Sequence, residues 1–296
     1  MIVVSIAIVC GVFGMVLGSF AGAQVWRLRA RQLVADKKAG ESYSKAEYKK
    51  LSPLLKGKKQ QDRSRCLSCG HQLGLRDLIP LISWLSTRGR CRYCDKRIGY
   101  FEPLMELSLA AAFMVSFLAW PWHLAGLQWV LFAVWCISLV ALIMLVAYDI
   151  KWRILPDFLT VSYGLVSLVF VVLRGRQSLN DKIVNDVKLY SLAIALIIMS
   201  GVYGVLYLIS KGKWIGLGDV KLGVGLGLIL ASWQTAFVGL FLANLIGCVL
   251  VIPGLASKKL KANSEIAFGP LLALGSFISF FVGARIMDWL VIASFF

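Results

Sequence analysis

Two aspartates lie at the ends of hydrophobic runs, where an ionisable side chain is costly. Asp149 ends one such run and Asp219 begins another. A charged side chain at the centre of a membrane helix costs about 2.5–3.5 kcal/mol on insertion scales, so such a residue usually serves a function. Two carboxylates held together cannot both ionise easily. One keeps a proton and the other acts as a base, which can activate water for attack on a peptide bond. The two aspartates are therefore candidates for acid–base catalysis.

Both aspartates also have structural interpretations. Asp219 begins an apolar run, so it could be the N-cap of a helix. Asp149 could be an interfacial anchor that pairs with Lys151 or Arg153. Carboxylates at helix ends also occur in membrane transporters, where they relay protons or ions. A proton- or ion-coupled transporter is therefore the first alternative to a peptidase.

Four cysteines form two Cys-x2-Cys pairs, Cys66 with Cys69 and Cys91 with Cys94. Twenty-one residues separate the pairs, which is close to the spacing of four-cysteine zinc sites. The pairs lie in a basic segment that we place in the cytoplasm, where paired cysteines are more often metal ligands than disulfides. Tetrahedral zinc would stabilise a segment too small to form its own core. A redox pair and a zinc-bearing scaffold without catalysis are the alternatives.

The remaining candidate ligands are predicted not to bind metal. His71 is next to the first cysteine pair, but four thiolates already fill a tetrahedral site, so we expect this histidine at the surface. The other three cysteines lie in apolar runs and are predicted to be small buried hydrophobic residues: Cys10, Cys136 and Cys248.

The composition is that of a membrane protein with several spans. Of the 296 residues 59% are hydrophobic, and several runs reach the roughly 20 apolar residues that a transmembrane helix needs. We predict an all-α polytopic fold of about eight transmembrane helices, with a small zinc-stapled cytoplasmic domain between helices 1 and 2. The predicted domains are a first helix at 1–25, a basic zinc-binding domain at 26–102 and a seven-helix membrane domain at 103–296. The seven later spans are expected at 103–120, 125–148, 157–173, 189–209, 219–231, 233–252 and 270–295.

The net charge of +17 does not indicate a nucleic-acid-binding protein, because of where the basic residues lie. Most Lys and Arg residues fall within about 27–97 and the rest in short loops, which is the positive-inside pattern of membrane proteins. The basic block would also attract anionic lipid headgroups. The inside loops are then 149–156, 210–218 and 253–269, whereas the basic loop at 174–188 departs from the pattern.

The first hydrophobic run is predicted to be an uncleaved helix with its N-terminus outside. A signal peptide is the alternative, since the small residues at 21–23 resemble a cleavage site, but the arginines follow the run rather than precede it. The Lys-rich insertion at about 32–63 is poor in large apolar residues and is expected to be flexible or marginally helical. Between the cysteine pairs, the apolar segment 78–85 could pack on the cysteine module or lie on the bilayer.

Four motifs resemble those of the type IV prepilin peptidases, and they occur in the family's order. Together with the cysteine cluster they extend over nearly the whole chain. The motifs are Gly18-Ser19-Phe20, Asp149 followed by Leu155-Pro156-Asp157, Gly216-Leu217-Gly218-Asp219, and Phe268-Gly269-Pro270.

This resemblance implies a prepilin leader peptidase, a membrane aspartyl protease in which Asp149 and Asp219 form the catalytic dyad. Its substrates would be prepilins or pseudopilins of type IV pili and type II secretion, cleaved after a glycine that precedes the first hydrophobic residue of the mature pilin. The enzyme would lie in the bacterial cytoplasmic (inner) membrane, with its active site near the cytoplasmic face. Four further residues would support the dyad, two by freeing the backbone and two by starting the next helix: Gly216, Gly218, Pro156 and Asp157.

The segment from Cys66 to Cys94 resembles the cytoplasmic domain of family members that also N-methylate the new N-terminus. The resemblance implies S-adenosylmethionine as the methyl donor, and Glu106 matches the acidic residue that ends the motif after the last cysteine. Glu106 could instead be a residue near the membrane interface that pairs with Arg or Lys. The chain has Phe101-Glu102-Pro103 where the family usually has Arg-Tyr-Pro, so the methyltransferase motif is less well matched than the peptidase motifs.

Overall fold

The computed structural model describes residues 2–55, 63–180, 188–257 and 267–293, and these residues are largely helical. Their only β pairing is two isolated bridges in the cysteine loops. The predicted all-α polytopic fold is therefore confirmed. The helices are α1 Ile2–Ala39, α2 Lys45–Leu51, α3 Ile82–Ser86, α4 Phe101–Leu118, α5 Leu127–Trp152, α6 Asp157–Asn180, α7 Leu189–Leu196, α8 Val202–Ser210, α9 Leu217–Leu230, α10 Trp233–Ala256 and α11 Gly269–Ala293.

Seven helices within the described ranges are long and apolar enough to cross a membrane. One of them is continuous from Leu189 to Ser210, because a π-helical turn at Ile197–Gly201 joins α7 to α8. The remaining predicted span, 219–231, corresponds to α9, which has only 14 residues. At 1.5 Å per residue α9 is about 21 Å long, shorter than the roughly 30 Å hydrocarbon core.

The chain divides into two compact units, residues 1–118 and 119–296. In the first unit α1 packs against α4 through glycines that let the two backbones meet. A Cβ atom on Gly14 would lie 2.5 Å from the carbonyl oxygen of Leu109, and one on Gly18 would lie 2.6 Å from the Cα of Glu106. These contacts fix an antiparallel register in which Gly18 is level with Glu106.

The described part of the Lys-rich insertion, up to residue 55, is more helical than the sequence predicted. Helix α1 continues to Ala39, well past the expected end of the first span, and α2 follows it. Leu33 and Leu51 are fully buried in a small core with Ala30. Arg29 pairs with Glu47 at 2.8 Å across this core. Tertiary packing of a few apolar residues therefore outweighs the polar composition of the segment.

In the second unit the glycines of α9 allow close packing. A Cβ atom on Gly223 would clash with the carbonyl oxygen of Met199, which lies in the π-helical turn. A Cβ atom on Gly225 would lie 2.5 Å from the ring of Tyr163. The same turn is tied to α9, because Ser200 Oγ donates a hydrogen bond to the carbonyl oxygen of Val220 at 2.9 Å. Helix α9 is therefore held firmly at its position in the unit.

The three cysteines outside the Cys-x2-Cys pairs differ in burial. Cys136 is buried as predicted, and Cys10 is half-buried, but Cys248 is exposed on α10, so its predicted burial is wrong. A weakly polar thiol is compatible with a lipid-facing surface, which explains the difference. Parts of three predicted segments lie outside the described residues: 56–62 of the Lys-rich insertion, 181–187 of the loop at 174–188, and 258–266 of the loop at 253–269.

Candidate functional site

Three helix ends meet around Asp149 in the second unit. Asp149 lies near the C-terminus of α5, is only 5% exposed, and accepts a hydrogen bond at Oδ2 from the backbone N–H of Gly269 at 3.1 Å. Gly269 is the first residue of α11. A helix N-terminus presents unpaired N–H groups and positive potential, so α11 orients this carboxylate. Arg153 ends α5 with φ of 54° and donates its N–H to the carbonyl oxygen of Asp149 at 2.7 Å.

Asp219 is the third residue of α9 and is half-buried. The Asp149 carboxylate lies within electrostatic range of Asp219. Leu222, one turn further along α9, lies 3.6 Å from where a Cβ atom on Gly269 would be, which ties α9 to the start of α11. The N-cap of α9 is Gly216, so the structural interpretation of Asp219 as an N-cap is wrong.

The two glycines before Asp219 differ in how closely they pack, and only Gly218 lies where a larger side chain would clash. Gly216 has φ of −77° and ψ of 149°, an extended conformation that any residue adopts. Gly218 is helical, and a Cβ atom on it would lie 2.9 Å from the Cβ of Leu155. Neither glycine has a backbone conformation that requires glycine, so the predicted backbone freedom beside Asp219 stays a prediction. Gly218 instead allows α9 to approach the α5–α6 loop closely.

Pro156 and Asp157 lie at the start of α6, on the other side of that loop. Asp157 is the first residue of α6, and its Oδ1 accepts a hydrogen bond from Lys221 Nζ at 2.6 Å. The Pro156 carbonyl oxygen accepts bonds from the backbone N–H and the hydroxyl of Thr160. The Asp157 carboxylate is largely exposed, so its ion pair contributes little stability but joins α6 to α9 beside Asp219.

Tyr203 on α8 is a residue of this site that the sequence did not indicate. It is 3% exposed, lies within electrostatic range of Asp219, and accepts a hydrogen bond at its hydroxyl from Asn244 Nδ2 at 3.5 Å. Its ring centroid is 5.2 Å from that of Phe268, directly before Gly269. A tyrosine in an apolar run gives no local signal, because its partners lie far along the chain.

The four cysteines of the two pairs meet in the first unit. Their sulfur atoms all lie within 4.8 Å of one another. Each pair sits in a similar loop: the N–H of Cys66 bonds to the carbonyl oxygen of His71, and the N–H of Cys91 bonds to that of Lys96. Zinc–sulfur bonds of about 2.3 Å place four tetrahedral sulfurs about 3.8 Å apart, so this donor set fits a zinc ion.

The side chains around the cysteine cluster form a stacked polar group. His71 is outside the cluster, exposed, and stacked on Tyr93 with ring centroids 3.6 Å apart. Tyr93 donates its hydroxyl to Asp77 at 3.1 Å, and this hydrogen bond raises the pKa of Tyr93. Arg92 pairs with the same carboxylate at 3.1 Å. The surface interpretation of His71 therefore agrees with its position.

Glu106 is buried in α4, with 5% exposure. Among the described residues its hydrogen bond is to a backbone N–H and not to Arg or Lys. Its Oε2 accepts a hydrogen bond from the backbone N–H of Leu81 at 2.8 Å. Glu102, one turn earlier, accepts a bond from Trp26 Nε1 of α1 at 3.0 Å. Both carboxylates therefore connect α4 to other parts of the first unit.

Comparison with known proteins gives the family of this chain. Residues 136–252 match the model of the type IV leader peptidase family, and residues 12–120 match the bacterial peptidase A24 N-terminal domain. The first match includes both aspartates, and the second includes the four cysteines and Glu106. The chain belongs to the type IV leader peptidase family.

The curated relatives agree over most of the chain. A protein of Pectobacterium carotovorum subsp. carotovorum is 32% identical over 90% of this chain and 89% of its own length. A protein of Aeromonas hydrophila is 32% identical over 77% of this chain and 74% of its own length. A protein of Pseudomonas aeruginosa is 28% identical over 92% of this chain and 89% of its own length. All three are named prepilin leader peptidase/N-methyltransferase. No solved structure matches the chain significantly.

We expect Gly269→Ala to lower catalysis without unfolding the protein. The new Cβ atom would lie 2.7 Å from Asp149 Oδ2, so this carboxylate must move, whereas no backbone atom blocks the methyl group. A displacement of about 1 Å at a reacting group can cost about 10²-fold in rate. The measurement is the cleavage rate together with the thermal unfolding midpoint. Gly164→Ala on α6, whose Cβ atom meets nothing within 4 Å, is the matched control. A normal rate for Gly269→Ala would contradict the assigned role of Asp149.

Proposed function

We propose that this protein removes the leader peptide from prepilins or pseudopilins, with Asp149 and Asp219 as its catalytic carboxyl pair. The observation that supports this most strongly is that both aspartates lie where the ends of α5, α9 and α11 come together. Asp149 is held by the N–H of Gly269, and Asp219 lies within electrostatic range of it. The relatives' name supplies the substrate class.

The pair would work as a single acid–base unit. Because two neighbouring carboxylates do not ionise together, one holds a proton at the start of the reaction. The ionised partner takes a proton from water, and the water oxygen attacks the scissile carbonyl carbon while the protonated carboxyl group donates to the carbonyl oxygen. Collapse of the intermediate breaks the C–N bond. The carboxyl group that took a proton from water gives it to the leaving amine, and the other carboxylate regains its proton from a hydroxyl of the intermediate. The dyad titrates as a unit, so the two roles are assigned to the pair.

The substrate would be a membrane-embedded pilin helix, with its leader on the cytoplasmic side of the bacterial inner membrane. Asp149 lies three residues before the C-terminus of α5 and Asp219 lies in the first turn of α9. Both are helix-end positions, which suits cleavage of a segment at the junction between a hydrophobic helix and its polar leader. The scissile bond would follow a glycine that precedes the first hydrophobic residue of the mature pilin.

The first unit would supply the second activity, N-methylation of the freed amine from S-adenosylmethionine. Its support is the N-terminal family match and the methyltransferase name of the relatives. Zinc bound by Cys66, Cys69, Cys91 and Cys94 would staple the two cysteine loops together. Glu106 accepts the backbone N–H of Leu81 in this unit, so it would hold residues 78–86 in place.

The proposal is tested by incubating the purified protein, in detergent or nanodiscs, with a prepilin and then measuring the mass of the product. Loss of the leader after the predicted glycine is expected, followed by the mass of one added methyl group when S-adenosylmethionine is present. A transporter or a non-catalytic zinc scaffold would leave the prepilin intact, and that result would refute the peptidase proposal. Cleavage without methylation would refute only the second activity.

A further inference from the structure

Residues 75–86, between the two cysteine pairs, expose an unusual amount of apolar surface. Leu75, Ile82 and Leu85 are 86%, 64% and 65% exposed, and Ile79 and Leu78 are 43% and 38% exposed. A contiguous exposed apolar patch marks a surface that contacts a partner or a membrane. The depth at which this segment lies relative to the membrane helices identifies the partner.

The hydrogen bond from Leu81 to Glu106 fixes that depth. Glu106 is five residues inside α4, about 7–8 Å beyond its first residue at 1.5 Å per residue. In the packed register of α1 and α4, Glu106 is level with Gly18 of α1. Arg27, the first basic residue of α1, lies nine residues further along, about 13 Å away along the helix axis. The carboxylate that holds Leu81 therefore belongs to a residue about 13 Å deeper than the first basic residue of α1 and about 6 Å deeper than Glu102 on α4.

Backbone polar groups at such a depth must be satisfied by the protein, and several in this segment have partners within it. The buried carboxylate of Glu106 accepts the N–H of Leu81, which has φ of 55° and directly precedes α3. At the other end of α3 the hydroxyl and the N–H of Thr87 both bond to the carbonyl oxygen of Ser83. Trp84 Nε1 donates to the carbonyl oxygen of Gly99. Internal pairing of this kind is what non-helical backbone needs at membrane depth.

Basic residues flank the apolar segment on both sides. Arg76 precedes it and Arg88 follows it, and both are exposed. An apolar stretch bounded by arginines matches the layering of a leaflet, in which acyl chains lie below anionic headgroups.

We propose that residues 78–86 form a re-entrant segment, in which the side chains of Ile79, Ile82 and Leu85 contact acyl chains of the leaflet next to the start of α4 and Glu106 anchors the backbone. The occupant of this surface is lipid. Glu106 is a positioning residue in this arrangement, and the proposal is independent of the peptidase reaction.

The test places a genetically encoded fluorescent residue at position 82 or 85 of the full chain in nanodiscs. The nanodiscs contain lipids with a nitroxide on the acyl chain, and position 68 in the first cysteine loop is the matched exposed control. We expect the acyl-chain nitroxide to quench positions 82 and 85 several-fold more strongly than position 68. Aqueous iodide should show the opposite order.

Two variants of Glu106 test the anchor. Glu106→Gln keeps an oxygen that accepts the N–H of Leu81, so lipid quenching at position 82 should be retained. Glu106→Ala removes the acceptor, and lipid quenching should fall towards the value at position 68. Quenching that survives Glu106→Ala would overturn the anchoring role. Strong quenching of position 82 by iodide would overturn the lipid contact, because this face would then be in water. Protection from both quenchers would also overturn it, because protein would then cover the face.

Discussion

Replacing either Asp149 or Asp219 with asparagine is expected to lower the rate of prepilin cleavage by on the order of 10³-fold, since positioned acid–base groups contribute about 10²–10⁴-fold. Asparagine has nearly the same shape as aspartate, and at position 149 its oxygen can still accept the N–H of Gly269. It cannot exchange a proton with water or with the leaving amine. Initial rates of leader removal by the purified variants, in nanodiscs, measure the effect.

The double variant makes this prediction sharper. If the carboxylates act as one unit, losing either removes the function of both, and the double variant should be no less active than the single variants. Two independent contributions would instead multiply. Asp288→Asn is the matched control, because Asp288 is an exposed carboxylate nineteen residues beyond Gly269 on α11, about 28 Å away along the helix. Cleavage at the normal rate by either single variant would refute the dyad.

The sequence indicated the candidate groups of this site because they are rare residues in an apolar background. Asp149 and Asp219 stand out because a carboxylate beside a hydrophobic run is energetically costly. The motifs around them also occur in the order and at the separation of the family. The sequence did not reveal what orients them. The Gly269 N–H meets Asp149 from 120 residues away, and Tyr203 reaches Phe268 through helix packing. Such contacts depend on tertiary geometry, which local patterns do not encode.

The fold was predictable to a similar degree. Apolar runs located the membrane helices because length and hydropathy alone decide whether a helix spans a bilayer. They did not give the length of α9, which has only 14 residues. They also did not give the helical structure of the insertion up to residue 55, which depends on contact between Leu33 and Leu51. The bond between Glu106 and Leu81 was equally hidden, since a buried carboxylate that accepts a backbone N–H leaves no sequence pattern.

Replacing Cys66 or Cys91 with serine is expected to reduce bound zinc from about one ion per chain to almost none, because structural zinc sites need all four ligands. Zinc binding contributes about 10–16 kcal/mol in small zinc-binding peptides, far more than the packing of so small a module can replace. The metal-free module should therefore unfold locally, and trypsin should cleave between residues 63 and 98 faster than in the parent protein. Elemental analysis and limited proteolysis measure the two effects.

Cys248→Ser on α10 is the control for this prediction, since its thiol is exposed and outside the cluster. Its zinc content and protease resistance should match those of the parent protein. Asp149 and Asp219, the proposed catalytic pair, are positioned by α5, α9 and α11 of the second compact unit, whereas the cysteines lie in the first. We therefore expect the Cys66 and Cys91 variants to lose methylation and to keep most of their cleavage activity.

Full zinc content in either variant would exclude the four-cysteine site. Loss of cleavage in parallel with loss of zinc would mean that the metal module also supports the peptidase site, because the aspartates themselves are unchanged in these variants.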